Sequence, residues 1–252
     1  MTNPKAAAWL QDRMNSIGAS QIADLFGEGY GSNLKVWNEK AHKELDPSSG
    51  GGRAEWGLLF EEPIAKAYCQ REGYEILGSG EFDCMRHPDL PHAHATVDYF
   101  VRCPERGKGV LEIKSTQQHW DELPIRVDMQ TRGQLEIARR VDPEITFAEV
   151  AILVGNQSLF GEVIEDDPDR SKVLFDEVER FWVEHVVPMF PPVANKINDA
   201  TRKLLGEVYQ FSPDTQIDLP PEMFELSDRI TEAGDKMSEL KKARDVDRYK
   251  LQ

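Results

Sequence analysis

The hydrophobic period of the chain changes at Gly73, and this change limits the fold more than any other feature of the sequence. Before it, apolar residues recur three or four apart. Residues 6–26 read as an amphipathic helix, a turn at Ser16-Ile17-Gly18-Ala19-Ser20, and a second helix carrying Ile22, Ala23, Leu25 and Phe26. Residues 34–45 read as a third helix. Residues 53–70 form a fourth through Trp56, Leu59, Phe60, Ile64, Ala67 and Tyr68, with Pro63 its awkward point. After Gly73 the runs 74–77, 80–84, 94–101 and 109–115 are short and β-like, separated by Gly and Pro clusters. Residues 127–140 return to helix, 147–154 and 159–165 are two more strands, and 168–187 is a long acidic helix packed through Val173, Leu174, Val178, Phe181 and Trp182. This order predicts an α/β chain with a mixed central sheet flanked by helices.

The pattern breaks at Pro188 to Pro192, so residues 1–190 are expected to form one domain, with 1–52 as its N-terminal helical part, and 191–252 a C-terminal helical extension. Ser212-Pro-Asp and Leu219-Pro-Pro-Glu look like linker. Asp46-Pro-Ser-Ser-Gly-Gly-Gly52 reads as a flexible loop; no Lys-Ser or Lys-Thr follows it, as a phosphate loop would require. Beyond the linker, Met223, Leu226, Ile230, Ala233, Met237 and Leu240 alternate steps of three and four for under three heptads. Such a stripe suits a helix docked on its own domain or oligomer, or a short coiled coil with a partner.

Cys69, Cys84 and Cys103 are an odd set without C-x-x-C spacing, which argues against a disulfide framework or a zinc ribbon and suits a reducing cytoplasm. No signal peptide is visible and no stretch approaches the ~20 apolar residues of a membrane span. The net charge of −15 is the wrong sign for a nucleic-acid binder at face value. However, residues 141–190 hold twelve Asp or Glu against three Lys or Arg, which leaves only −6 for the rest. A phosphate-binding face elsewhere remains open.

Chemistry concentrates in Gly109-Val-Leu-Glu112-Ile-Lys114-Ser-Thr. On a strand, Val110, Glu112 and Lys114 share one face while Leu111 and Ile113 point to the other. The turn-rich connection Cys103-Pro-Glu-Arg-Gly-Lys-Gly109 predicts a hairpin that brings Asp98 beside Glu112. Two carboxylates and an ammonium suit Mg²⁺-dependent phosphodiester cleavage, because hard oxygen donors hold the ion and the lysine orients or deprotonates the attacking water. The plainer reading is an exposed strand ending in a solvated Glu and Lys. Glu61, in Trp56-Gly-Leu-Leu-Phe-Glu61-Glu62-Pro, adds a third carboxylate that either caps a neighbour or aims at the sheet. Gln130 and Gln134 share one helix face, either to hold the lysine or the water, or as two surface glutamines.

Taken together, Arg13, Ser16-Ile-Gly-Ala-Ser20-Gln-Ile-Ala, Trp56-Gly-x-x-x-Glu61, Asp98, Glu112-Ile-Lys114 and the helix with Gln130 and Gln134 resemble the lambda-exonuclease and YqaJ-like viral recombinase family of PD-(D/E)XK nucleases, in register over residues 9–185. The resemblance implies a restriction-endonuclease-like core. It implies one or two Mg²⁺ ions, with Mn²⁺ as a substitute, on Glu61, Asp98, Glu112 and the carbonyl of Ile113, with Lys114 serving the water. Thr96, Arg13 and Ser20 fall where such enzymes grip a terminal 5′-phosphate, a task that guanidinium and hydroxyl donors suit. Ser20 taken alone is a helix N-cap.

The activity implied is 5′-to-3′ digestion of one strand of linear double-stranded DNA, leaving a 3′ overhang for recombination beside a single-strand annealing protein in the cytoplasm of a bacterial host. A ring-shaped homotrimer that encircles the duplex is implied too, with acidic residues 162–184 facing away from it. The sequence departs from the family pattern in places. The glycine spacing selects Glu61, while the frequent Glu-Pro pair would select Glu62. Only Asp89 lies near a further upstream acid. An early arginine after Lys114 is missing, leaving His119 or Arg126 in its stead. His87, His92 and His94 cluster, but Pro88 and Pro91 break regular ligand geometry. The alternatives are an endonuclease or single-strand nuclease of the same fold, and a DNA-binding or assembly protein without catalysis.

Overall fold

The structure is a computed structural model and describes residues 4–43, 53–155, 157–208 and 221–250. Both 46–52 and most of the expected linker lie outside these residues. Three helices come first, α1 (Pro4–Met14), α2 (Ala19–Leu25) and α3 (Asn33–His42), with a two-residue strand β1 (Ile17–Gly18) in the turn between α1 and α2. Helix α4 (Arg53–Glu72) runs through Pro63 without a break. Pro63 sits on an exposed stretch, where water can serve the carbonyl that loses its N–H partner.

Five strands form the main sheet: β2 (Glu75–Ser79), β5 (Tyr99–Cys103), β6 (Gly107–Thr116), β7 (Ile145–Val154) and β8 (Ser158–Ile164), in the order β2-β5-β6-β7-β8. Only β6 and β7 run parallel, and α5 (Ile125–Val141) makes the crossover between them. These two central strands are covered on both faces, so Val110, Leu111, Glu112 and Ile113 are all buried in succession. On the Leu111 and Ile113 face, Ile64, Ala65, Tyr68 and Cys69 of α4 complete a core with Phe147 and Ala151. Helix α5 covers the Glu112 face.

The expected single run of strands resolves into two sheets. A small one pairs β1 in parallel with β4 (Ala93–Ala95), and β4 antiparallel with β3 (Met85–Arg86). Residues 94–101 therefore do not form one strand; the chain leaves β4 and enters β5 through Thr96, Val97 and Asp98. Backbone groups there find partners off the ladder: Gln134 donates to the Thr96 carbonyl at 3.0 Å and the Gly80 N–H to that of Asp98 at 3.1 Å. Gly80 permits this approach, since a Cβ on it would lie 2.3 Å from the Val97 carbonyl oxygen. Residues 80–83, read as part of a strand, make a turn closed by Asp83 N–H donating to Gly80 at 2.9 Å.

Helix α6 (Pro168–Phe181) is capped by Asp167, whose carboxylate accepts from the Arg170 N–H at 3.0 Å. It ends in a π-helical turn at Trp182–Val186, where Trp37 donates to the His185 carbonyl at 3.0 Å. The chain divides into two compact units, Met1–Leu205 and Gly206–Gln252. Residues 191–205, placed with the extension on sequence grounds, pack with the first unit: Asn195 donates to the carbonyls of Asp24 and Leu25, and Thr201 Oγ1 lies 3.1 Å from Ser32 Oγ. Helix α7 (Asp199–Val208) spans the division. In the second unit α8 (Pro221–Lys250) is one helix of 30 residues, and its apolar residues Met223, Leu226, Ile230, Met237 and Leu240 are exposed. No helix among the described residues is long and apolar enough to cross a membrane.

Candidate active site

The β5–β6 hairpin sets the geometry. Its register pairs Tyr99 with Leu111, so Asp98, one residue earlier, stands opposite Glu112. The Ile113 N–H donates to Asp98 Oδ2 at 2.7 Å, which fixes the carboxylate against the strand that carries Glu112 and Lys114. Gly109 keeps the hairpin close to β7, because a Cβ on it would meet the Phe147 ring at 2.4 Å.

Glu112 is 3% exposed. One of its oxygens accepts from Lys114 Nζ at 2.5 Å and from Gln130 Nε2 at 2.7 Å, and the other accepts from Gln134 Nε2 at 2.6 Å. Gln130 also accepts from Lys114 Nζ through its own oxygen at 3.2 Å. The i and i+4 positions of α5 thus face the strand together. The two neutral amides satisfy the buried carboxylate without adding charge, so among the described residues Lys114 is the one cation bonded to it.

The third carboxylate is Glu61. It is half-buried on α4 and feels Glu112, whereas Glu62 is exposed and paired with Lys66 at 2.5 Å. Burial pushes the Glu61 carboxyl up to about 7, with Glu112 adding to the rise. Burial, then Glu112 and Glu61, push Asp98 well above the usual carboxylate range. Burial alone would lower the Lys114 ammonium, but Glu112, Asp98 and Glu61 outweigh it and hold the proton on. Three acids around one ammonium form a cluster short of positive charge, and hard oxygen donors are the chemistry that Mg²⁺ takes. As placed, no three Asp, Glu, His or Cys side chains among the described residues converge closely enough to hold an ion. The reason is visible: Glu112 faces its amides and lysine, and Asp98 faces the Ile113 N–H.

A second group of residues borders this cluster through Thr96. Trp9 Nε1 donates to Thr96 Oγ1 at 3.0 Å, and the Arg13 guanidinium lies over the Trp9 ring at 4.5 Å. Arg13, Trp9, Thr96, Gln134 and Glu112 form one chain of contacts. Ser20 is exposed on the first turn of α2, but the N-cap is Gly18, with Gln21 Oε1 accepting from the Gly18 N–H at 3.3 Å. Its capping reading is therefore replaced, because the helix starts before it.

Trp9 and Lys40 were not singled out from sequence. The spacing of Trp9 four residues before Arg13 was a readable sign. Nothing local marked Lys40, which is 2% exposed and donates to the Arg13 carbonyl at 2.7 Å. Asp89 pairs with Arg140 at 3.3 Å and His119 is exposed against Phe160, so neither joins the carboxylates. The three histidines have separate roles. His87 accepts from the Asp89 and Leu90 N–H groups, His92 pairs with Glu179 at 2.6 Å, and His94 lies 2.8 Å from Ser16 Oγ.

An Asp on one arm of a hairpin and Glu-x-Lys on the other, on a mixed sheet between helices, define the PD-(D/E)XK fold. The chain belongs to the YqaJ-like viral recombinase domain family, whose model matches residues 8–138. It is similar to the uncharacterized protein YqaJ of Bacillus subtilis strain 168, at 24% identity over 218 residues, covering 84% of this chain but only 66% of that protein's length. In fold it resembles the crystal structure of an alkaline exonuclease, LHK-Exo, from Laribacter hongkongensis, with a TM-score of 0.55 and 13% identity over 81% of this chain and 100% of that one. The same exonuclease in complex with dAMP matches with a TM-score of 0.55 at 14% identity, with the same coverage of both chains.

Proposed function

We propose that this chain is a metal-dependent deoxyribonuclease that digests one strand of linear duplex DNA from the 5′ end and leaves a 3′ overhang. The observation that carries this reading is the β5–β6 hairpin that sets Asp98 opposite Glu112 and beside the strand of Lys114, with Glu61 of α4 within electrostatic reach and Gln130 and Gln134 holding Glu112.

Glu61, Asp98, Glu112 and the Ile113 carbonyl would hold one or two Mg²⁺ ions, or Mn²⁺ in substitution. When bound, the ion supplies neutralising charge at the oxygens of the scissile phosphate. To hold an ion, Glu112 would give up at least one of its present hydrogen bonds, and the glutamine so released would be available to water or a phosphate oxygen. Lys114 keeps its proton among three acids. Paired with Glu112, it would orient the attacking water and stabilise negative charge at the phosphate. Arg13, with Ser20 and Thr96, binds the terminal phosphate, and Trp9 keeps the guanidinium in one orientation.

Placement in recombination with a single-strand annealing protein in the bacterial cytoplasm, and assembly as a homotrimeric ring with residues 162–184 outward, complete the proposal and follow from family likeness. The test is Mg²⁺-dependent digestion of linear duplex phosphorylated at one 5′ end, with closed circular DNA and the Lys114→Ala protein as controls. Nucleotide release from the phosphorylated end alone supports the reading. Cutting of the circle rejects end dependence, and silence in both Mg²⁺ and Mn²⁺ rejects the enzyme.

A further inference from the structure

The loop between α2 and α3 is built to hold one aromatic ring in water. In Gly27-Glu28-Gly29-Tyr30-Gly31, Gly27 takes φ +79°, and a Cβ on Gly29 or Gly31 would fall 1.9 or 2.7 Å from a carboxylate oxygen of Asp24. The backbone wraps round that carboxylate as only glycine allows. The Gly31 N–H donates to Asp24 Oδ1 at 2.7 Å, and Lys196 Nζ donates to the Gly29 carbonyl at 2.6 Å. The one large side chain that this fastened loop presents, Tyr30, is 82% exposed.

Its ring has a specific neighbour. The Arg126 guanidinium carbon lies 4.6 Å from the ring centroid. Arg126 stands in the first turn of α5, four residues before Gln130, so the two share a helix face. Gln130 in turn touches Glu112 and Lys114. An aromatic ring kept in water forgoes hydrophobic stabilisation, and a guanidinium laid on it orients the ring and adds positive charge. Planar ring, guanidinium and a location one helical turn from the carboxylate cluster match one ligand chemistry: an unpaired nucleobase stacked on the tyrosine, with its phosphate near the arginine.

We propose that Tyr30 and Arg126 form a nucleobase-stacking subsite for the DNA strand that enters the Asp98, Glu112 and Lys114 cluster. The subsite rests on the nuclease reading and adds to it a contact that holds the strand by its base rather than by its end.

The test uses full-length protein and a short 5′-phosphorylated duplex with 5-iododeoxyuridine near that end, in Mg²⁺ and a Lys114→Ala background so that the strand is not consumed. Photocrosslinking followed by mass spectrometry is expected to place the adduct on Tyr30. Tyr30→Ala should bind the end about tenfold more weakly, and Tyr30→Phe should bind like the parent. With Lys114 restored, Tyr30→Ala should raise KM and leave kcat within about twofold, with an unchanged melting curve. Adducts found only elsewhere, together with unaltered affinity in Tyr30→Ala, overturn the subsite while digestion by wild-type protein keeps the nuclease reading. If wild-type protein neither binds nor cuts the duplex, the nuclease reading fails and the subsite with it. A mononucleotide that blocks the adduct at the same concentration as the duplex would assign the ring to free nucleotide and reject the placement on the strand.

Discussion

The Ile113 N–H donates to the Asp98 carboxylate across 2.7 Å, so one residue that would offer its carbonyl to a metal ion also fixes the position of another ligand. The bond is local to the hairpin, but its surroundings reach α4, because burial and the neighbouring Glu112 and Glu61 push the Asp98 carboxyl well above its usual range.

The adjacent acids on α4 should separate cleanly. Glu61→Gln is expected to lower the rate of DNA digestion at least 100-fold, on the scale of losing a group that acts at the reacting phosphate. Glu62→Gln, whose side chain is exposed and paired with Lys66, should stay within about twofold. Parallel rate measurements decide it, and equal loss in both would place the ligand elsewhere.

Stability of the metal-free protein should depend on pH through Glu61. Its carboxyl is raised from 4.5 to about 7 on folding. A raised acid binds its proton more tightly in the folded state, so its contribution is full below about 4.5 and is lost as pH rises through 7. Thermal melts in EDTA should show wild-type protein losing stability relative to Glu61→Gln between pH 5 and pH 8. Mg²⁺ should raise the wild-type Tm more at pH 8 than at pH 5, because it favours the ionised acids. A Tm indifferent to Mg²⁺ at both values would remove the metal from the proposal.

Gln134→Leu deletes an amide that bonds both Glu112 and the Thr96 carbonyl. Leaving these acceptors unpaired should cost about 1–3 kcal/mol in urea unfolding. Activity should fall at the same time, since Glu112 loses one of its holders. Gln134→Glu places a like charge at Glu112 and should be worse in activity than Leu unless Mg²⁺ is raised.

Arg13→Ala should weaken preference for a 5′-phosphate over a 5′-hydroxyl end about tenfold or more, the scale of one charge-assisted hydrogen bond. Trp9→Phe retains the ring beneath the guanidinium but removes the donor to Thr96, so it should lose less than Trp9→Ala. Competition between the two ends of differently labelled duplexes measures this directly. Unchanged preference in Arg13→Ala would move the phosphate site.

Gly109→Ala tests the closeness of β6 and β7. The added methyl meets the Phe147 ring at 2.4 Å, and overpacking of this kind should cost about 1–3 kcal/mol in urea unfolding. No loss of stability would mean that the ring moves freely.

Much of this arrangement is legible in the amino-acid sequence. The switch of period at Gly73, the turn-rich stretch after Cys103 and the Glu112-Ile-Lys114 alternation together specified a hairpin with Asp98 beside Glu112, because strand geometry leaves few ways to pair such runs. Between Glu61 and Glu62 the sequence carries two competing signals, the glycine spacing for Glu61 and the Glu-Pro pair for Glu62. Adjacent positions on a helix point about 100° apart, and only the packing of Ile64, Ala65 and Tyr68 on the sheet decides which acid faces the cluster. The small sheet was hidden for a similar reason: two-residue strands such as Ile17–Gly18 have no period to detect.

By itself the sequence determined the order of helices and strands and the presence of three acids, a lysine and two glutamines in that order, since these depend on local period and residue chemistry. Tertiary structure alone decided that Gln134 would link Glu112 to Thr96, that Lys40 would be buried and bonded to the Arg13 carbonyl, and that Arg126 would lie on Tyr30. Those contacts join residues between 22 and 96 positions apart. No local propensity encodes such pairings; they form only when the hydrophobic faces of α4 and α5 close on opposite sides of β6 and β7 and bring the remaining polar groups within reach.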